Sequence, residues 1–203
     1  MTRLYVVPVG EWIDRFTETV AEPVSVPENA PEDLQKQSEV RIWGTDDGDQ
    51  KRTYFNEMET GDPLLFYHDG SFFAAGRVGV AFNSQDVAET LWDNAESQFI
   101  YTVTDYQEIS VDRAQIATLL GYEENWVPYR FLRVSDDAVS SLLREYNSIE
   151  EAFQDFHNGG TIEPPETGGD DDDPREHTEI QWSQLRDRIV GERARTNQQY
   201  RLK

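Results

Sequence analysis

Gly61-Asp62-Pro63-Leu64-Leu65-Phe66-Tyr67-His68-Asp69-Gly70-Ser71-Phe72-Phe73-Ala74-Ala75-Gly76-Arg77-Val78-Gly79-Val80 decides the fold. Gly61-Asp62-Pro63 is a turn. Leu64 to Tyr67 is an apolar run with the length of a buried strand. His68 to Ser71 is a hairpin turn, because Asp-Gly tolerates positive φ. Phe72 to Val80 returns, and Gly76 and Gly79 predict a bulge or a close approach of backbone. Alternation sets Tyr67 on the face opposite Phe66.

More strands and helices flank this hairpin. Upstream, Leu4–Val9 is a predicted strand. Glu11–Val20 has helical spacing that puts Trp12, Phe16 and Val20 on one face. Residues 21–38 carry Pro23, Pro27 and Pro31 and read as an exposed loop. Val40–Trp43 is a strand, and Thr45–Gln50 a turn or loop. Downstream, Ser84–Trp92 reads as a helix capped by Ser84, with Val87, Ala88 and Leu91 on its apolar face. Phe99–Thr104 and Tyr106–Val111 are strands. Asp112–Gly121 is a helix with Asp112 as its N-cap and Gly121 as its stop. Phe131–Val134 is a strand, followed by helices over Ser135–Tyr146 and Ser148–Phe156. Trp126 falls in an irregular segment and reads as a loop anchor, with a place on the rim of a pocket as the alternative. Residues 1–157 thus form one α/β domain.

Beyond it the composition shifts. Residues 158–175 hold Pro164-Pro165, Gly168-Gly169 and Asp170 to Asp173. Such a stretch has too little apolar surface to bury, so it reads as a flexible acidic linker. Residues 176–203 have helical spacing, with Ile180, Leu185 and Ile189 on one face. From Gln184 to Lys203 there are six basic and two acidic residues. This is an amphipathic basic helix without a partner for its apolar face.

Charge and composition narrow the setting. The 203 residues carry 40 acidic and 18 basic side chains, a net charge of −22. Lysine occurs only at Lys36, Lys51 and Lys203. Dispersed acid and scarce lysine fit a cytosol of molar salt, where the Debye length is ~3 Å and surface carboxylates barely repel. In that solvent the charge says little about partners; in low salt it would argue against nucleic acid. No apolar run approaches the ~20 residues of a membrane helix, so no membrane partner is expected. There is no cysteine. Disulfides and thiolate sites are therefore excluded, and a cytoplasmic location fits.

Catalytic motifs are missing as well. His68, His157 and His177 are the only histidines, and no Gly-x-Ser-x-Gly elbow exists. Asp46, Asp47 and Asp49 lack the register of a calcium loop and read as a solvated turn. Gly76-Arg77-Val78-Gly79 is not a phosphate loop. No catalytic residue, metal site or cofactor is expected in this chain.

Three segments carry a resemblance: Val40-Arg41-Ile42-Trp43-Gly44-Thr45, then Gly61 to Tyr67, then Phe72 to Val78. Their order resembles the EVE and YTH domains of the PUA-like superfamily, over roughly residues 3–135. The resemblance implies a small twisted β-barrel flanked by helices that holds a modified nucleobase in an aromatic cage. It implies Trp43 as one wall and Trp92, at the end of a helix, as a candidate for the second. Physical chemistry supports that use of the residues. A flipped base gains ~1–3 kcal/mol per stacked face, and a buried methyl group adds ~0.8 kcal/mol. Trp43-Gly44-Thr45 offers a ring, a close-approach backbone and a hydroxyl, and Tyr67 is a further pocket candidate. Core packing is the competing role for each of these aromatic residues. Arg41, Lys51, Arg52 and Arg77 are the expected contacts to the nucleic-acid backbone.

A second resemblance lies in the tail. Glu176-His177-Thr178-Glu179-Ile180-Gln181 and Arg193 to Arg201, with Gln198, Tyr200 and Arg201, are similar to the lead-in helices before HNH-type nuclease domains of modification-dependent restriction enzymes. This implies the reader half of a longer enzyme, with residues 176–203 as the start of a nuclease domain. The favoured reading is recognition of a modified base in DNA by base flipping. The alternatives are a PUA-like RNA binder and a small-molecule sensor or enzyme on the same barrel.

Overall fold

The computed structural model describes residues 3–157. The expected linker and basic helix (158–203) lie outside them. Along the chain, β1 (Tyr5–Pro8) leads through a 3-10 turn, Gly10–Trp12, into α1 (Ile13–Phe16) and a π-helical segment, Thr17–Ala21. Then come β2 (Val24–Ser25), β3 (Glu39–Val40), β4 (Ile42–Thr45), α2 (Asp49–Asn56), β5 (Pro63–His68) and β6 (Ser71–Asn83). The remainder is α3 (Gln85–Trp92), β7 (Phe99–Asp112), α4 (Arg113–Leu119), β8 (Leu132–Arg133), α5 (Asp136–Glu145) and α6 (Ile149–His157).

The central hairpin is β5–β6, antiparallel, with Leu64 opposite Gly76 and Phe66 opposite Ala74. Asp69 and Gly70 both have positive φ, 44° and 86°, as a two-residue turn matched to strand twist requires. The six-stranded sheet runs β4-β7-β6-β5-β1-β8. Only the β1–β5 pair is parallel; all the others are antiparallel. The sheet is curled. Register shifts between β6 and β7 at three places supply bends, one next to Gly76 and one around Gly79–Val80. A Cβ on Gly76 would lie 2.6 Å from Val103 Cγ1, so the strands approach there because the side chain is missing. The two strands expected over 99–111 are one continuous strand. Asp105, at φ 49°, kinks it. There β7 spends three steps, Thr104 to Gln107, against two on β6.

Strand alternation sorts the core. Leu4, Val6, Leu65 and Phe72 face one cluster, covered by Ile116, Leu142 and Phe153 from the later helices. Tyr5, Val7, Leu64, Phe66 and Ala74 face the other, which also holds Phe16, Trp43 and Tyr101. A smaller cluster joins Ile42, Ile100, Val87 and Trp92. Helix ends follow the expected caps. The Val87 N–H donates to Ser84 Oγ at 3.2 Å, and Asp112 forms a capping box with Gln115. Gly121 has φ 69°.

Three expectations need correction. Trp12 does not share the buried face of Phe16 and Val20; it is 44% exposed. Gly10, at φ 57°, starts a 3-10 turn whose tighter winding breaks the 3.6-residue phase. The acidic loop ends at Gly48, because α2 begins at Asp49. Within 21–38, Val24 pairs with Val40, and Leu34–Lys36 forms a 3-10 turn that buries Leu34. Among the described residues, no helix is long and apolar enough to cross a membrane.

Burial of two tyrosines sets an alkaline limit on stability. Burial pushes the Tyr101 phenol well above its ordinary range, and burial with nearby Asp62 does the same to Tyr5. A folded-state pKa raised above the unfolded value keeps its stabilising share below about pH 10 and loses it as pH climbs further. We expect absorbance at 295 nm to show two of the nine tyrosines ionising only when the fold melts. Ionisation of all nine in one step before melting would contradict this burial.

Candidate nucleic-acid interface

A cavity of about 330 Å³ opens beside the edge strand β4. Its volume reaches the ~300 Å³ lower bound of small-molecule sites. Trp43, Gly44, Thr45 and Asp46 line one side; Trp92, Asn94, Glu96 and Ser97 come from the end of α3 and the loop after it. Val7 and Pro8 follow from β1, Trp12 from the 3-10 turn and Arg15 from α1, with Lys51 from α2 and Tyr129, Arg130 and Phe131 from the segment before β8.

Local chemistry explains how the two tryptophans meet. Ile42 and Trp43 alternate, so Trp43 points into the larger core while Gly44 falls on the Ile42 side. Trp92 lies over that glycine. A Cβ on Gly44 would stand 2.6 Å from Trp92 Cζ3 and 2.6 Å from the Ser97 carbonyl oxygen. Trp43 and Trp92 therefore touch edge to face, with centroids 6.3 Å apart and planes at 67°. Phe16 braces Trp43 from behind at 5.7 Å. The rings are 7% and 6% exposed. They form a corner rather than two parallel walls. Trp92 Nε1 is buried and has no hydrogen-bond partner among the described residues. Asp93, at φ 51° and ψ 42°, ends α3 in the left-handed conformation and turns the chain toward Asn94–Ser97. The Asn94 side-chain amide donates to Ser97 Oγ at 3.2 Å, and its carbonyl accepts from Glu96 N–H at 3.1 Å.

Replacing Gly44 by alanine is expected to push Trp92 off β4 and to cost about 1–3 kcal/mol, as overpacking does. Urea unfolding with tryptophan emission checks this. An unchanged midpoint and spectrum would show that the contact is slack.

The other expected residues fall in several places. Thr45 lines the cavity, and its hydroxyl donates to Asp46 Oδ1 at 3.4 Å. Lys51 also lines it, paired with Asp46. Tyr67 lies elsewhere: it packs on Phe72 at 5.2 Å, against the helix-covered core. Arg41 donates to the carbonyls of Val20 and Ala21 and lies 4.5 Å over the Tyr106 ring, so it clasps the end of the π-helical segment. Arg52 pairs with Asp47 at 2.6 Å. Arg77 donates to the Gly61 carbonyl at 2.6 Å and stands 3.8 Å from Asp105. Trp126 anchors its loop, packed at a 45° tilt against Tyr122 with centroids 4.8 Å apart, and its carbonyl accepts from Arg113.

The sequence reading missed the mouth of the cavity. Trp12 is 44% and Tyr129 84% exposed. Arg15 lies 4.3 Å over the Trp12 ring. The adjacent Tyr129-Arg130 pair, in a loop with no burial pattern, was the available signal. Three cations (Arg15, Lys51, Arg130) face two carboxylates (Asp46, Glu96) around the cavity. That local balance is opposite in sign to the chain's net charge of −22.

Neither a family model nor a curated protein matches the sequence. Solved structures do match the fold. The N-terminal domain of Thermococcus gammatolerans McrB, solved bound to m5C DNA, superposes with a TM-score of 0.58 at 14% identity, over 71% of this chain and 96% of that one. Human THYN1 in complex with DNA containing 5-methylcytosine gives a TM-score of 0.39 at 14% identity, over 71% and 97% of the two chains. The Pho92 YTH domain in complex with m6A gives 0.37 at 10% identity, over 73% and 85%. The curled sheet with its surrounding helices, together with the McrB superposition, identifies the fold of this chain as PUA-like, of the EVE and YTH type.

Proposed function

We propose that this chain reads a modified, methylated base in DNA, taken out of its stack and held at the corner made by Trp43 and Trp92. The observation that carries the reading is the cavity itself. It joins two buried indole rings to the short polar side chains of Thr45, Asn94 and Ser97. Aromatic faces serve the ring of a base, and the polar groups serve its edge. The PUA-like fold supports the proposal, as do the McrB domain's m5C DNA ligand and the local excess of cations at the mouth. The role is binding rather than catalysis, in a cytosol of high salt. We place it as the specificity module of a modification-dependent restriction system, on the resemblance of Glu176–Gln181 and Arg193–Arg201 to nuclease lead-in helices.

The test is a set of anisotropy titrations in molar KCl with DNA and RNA strands, each methylated and unmodified. Tightest binding to methylated DNA is expected. Tightest binding to RNA would move the site to the RNA-reading alternative. Equal affinity for all four strands would sink the proposal.

A further inference from the structure

Exposed aromatic rings and cations without an ion-pair partner coincide at one place among the described residues. Among the described residues, the large apolar side chains left exposed are Trp12, Tyr129 and Leu143. Two of those three stand at the mouth of the cavity. Most cations are already engaged. Arg3, Lys36, Lys51, Arg52, Arg77 and Arg133 pair with carboxylates, and Arg41 and Arg113 donate to backbone carbonyls. Arg15, Arg130 and Arg144 have no carboxylate or carbonyl partner among the described residues. Two of these three also stand at the mouth, each beside one of the exposed rings.

Within the described residues, the one ring or charge contact of these groups is that of Arg15 over the Trp12 ring. A ring that is 84% exposed packs on almost nothing, and an arginine with no ion pair among the described residues is unusual on a protein this acidic. An aromatic ring beside a guanidinium is what a nucleic-acid strand needs: a π-face for a base and a charge for the adjoining phosphate.

We propose that Trp12–Arg15 and Tyr129–Arg130 form a two-sided clamp for the nucleotides flanking the extruded base. Tyr129 stacks on the neighbouring base, Arg130 and Arg15 take the phosphates on either side, and Trp12 carries the second stacking face. This rests on the base-reading function above and extends it with a division of labour. The Trp43–Trp92 corner supplies discrimination between modified and unmodified bases. The rim supplies affinity for any strand. Arg15 is already held over Trp12, so little side-chain freedom is lost when a phosphate arrives.

The experiment measures Kd for methylated and unmodified strands over a KCl series, for the wild-type chain and for Tyr129→Ala, Arg15→Gln, Arg130→Gln and Trp43→Phe. Tyr129→Ala is expected to weaken both strands by the same factor, about 5-fold or more. Each arginine variant is expected to flatten the slope of log K against log salt by about 0.7–0.9, one phosphate's share, with the modification preference intact. Rim variants with unchanged affinity and slope, alongside a modification preference that Trp43→Phe reduces, would overturn the clamp and leave the base-reading site standing. Binding of neither strand by the wild-type chain would overturn both. The four changed side chains are exposed or at the cavity wall, and circular dichroism of each variant checks that the fold is retained.

Discussion

Trp43→Ala is expected to weaken binding of a methylated strand by about 5- to 150-fold, the loss of one stacked face worth ~1–3 kcal/mol. The variant also carries a folding cost, because Trp43 is 7% exposed and braced by Phe16 and Trp92. Removing a buried indole costs about 3–5 kcal/mol of stability. Trp43→Phe separates the two effects. It keeps a ring in the core beside Phe16 and shortens the wall that faces the cavity. Its stability loss is expected to be smaller, with binding of the methylated strand falling several-fold and that of the unmodified strand falling less. Equal losses for both strands would assign Trp43 to the core alone. Titration and urea unfolding on the same preparations supply both numbers.

Asp62→Ala is expected to be the most damaging small change to the fold, by about 2–5 kcal/mol. Its carboxylate is 6% exposed and accepts from the backbone N–H of Glu59 at 2.9 Å and of Arg3 at 3.3 Å. Its own carbonyl accepts from Val78 N–H at 2.8 Å, while Gly61 N–H donates to the Val78 carbonyl at 2.7 Å. One residue thus ties the start of β1, the chain after α2, and the β5–β6 pair. Truncation takes the acceptor from two part-buried donors. Asp62→Asn keeps one oxygen acceptor and is expected to lose less. Matching midpoints for Asp62→Ala and the wild type in urea unfolding would show that water replaces the carboxylate at no cost.

The hairpin was legible because its signals are local. Alternation over 64–67 and 72–80 and the Asp-Gly turn depend on nearest neighbours, and β5–β6 formed as they dictate. The caps at Ser84 and Asp112 were legible for the same reason. Helix α2 was not. Its sequence, Asp49 to Asn56, is polar and has no capping side chain at Gly48, and only Phe55 is buried. It is held by distant partners, Phe55 on Phe99 at 5.0 Å and Tyr54 on Phe131 at 6.3 Å. Trp12 misled because hydrophobic spacing does not reveal a change from 3-10 to α winding.

At the site, Trp43-Gly44-Thr45 stood out as a ring, a gap and a hydroxyl in three residues, and these residues line the cavity with Trp92. The cations were harder to read. Arg41 and Arg77 sit beside strands whose outer neighbours the sequence leaves unspecified, and each found backbone carbonyls instead. Arg15 and Arg130 are more than a hundred residues apart. Only the sheet, which brings β1 between β5 and β8, carries both to one cavity. Their juxtaposition is a tertiary fact, which no local pattern encodes.

The most direct test of base reading is NMR of a strand whose modified base carries a ¹³C-labelled methyl group, titrated with the wild-type chain in molar KCl. A methyl held at the Trp43–Trp92 corner should move upfield by ring-current shielding on saturation, and the shift should shrink with Trp43→Phe. A methyl resonance that stays at its free-strand position when binding is saturated would contradict the account.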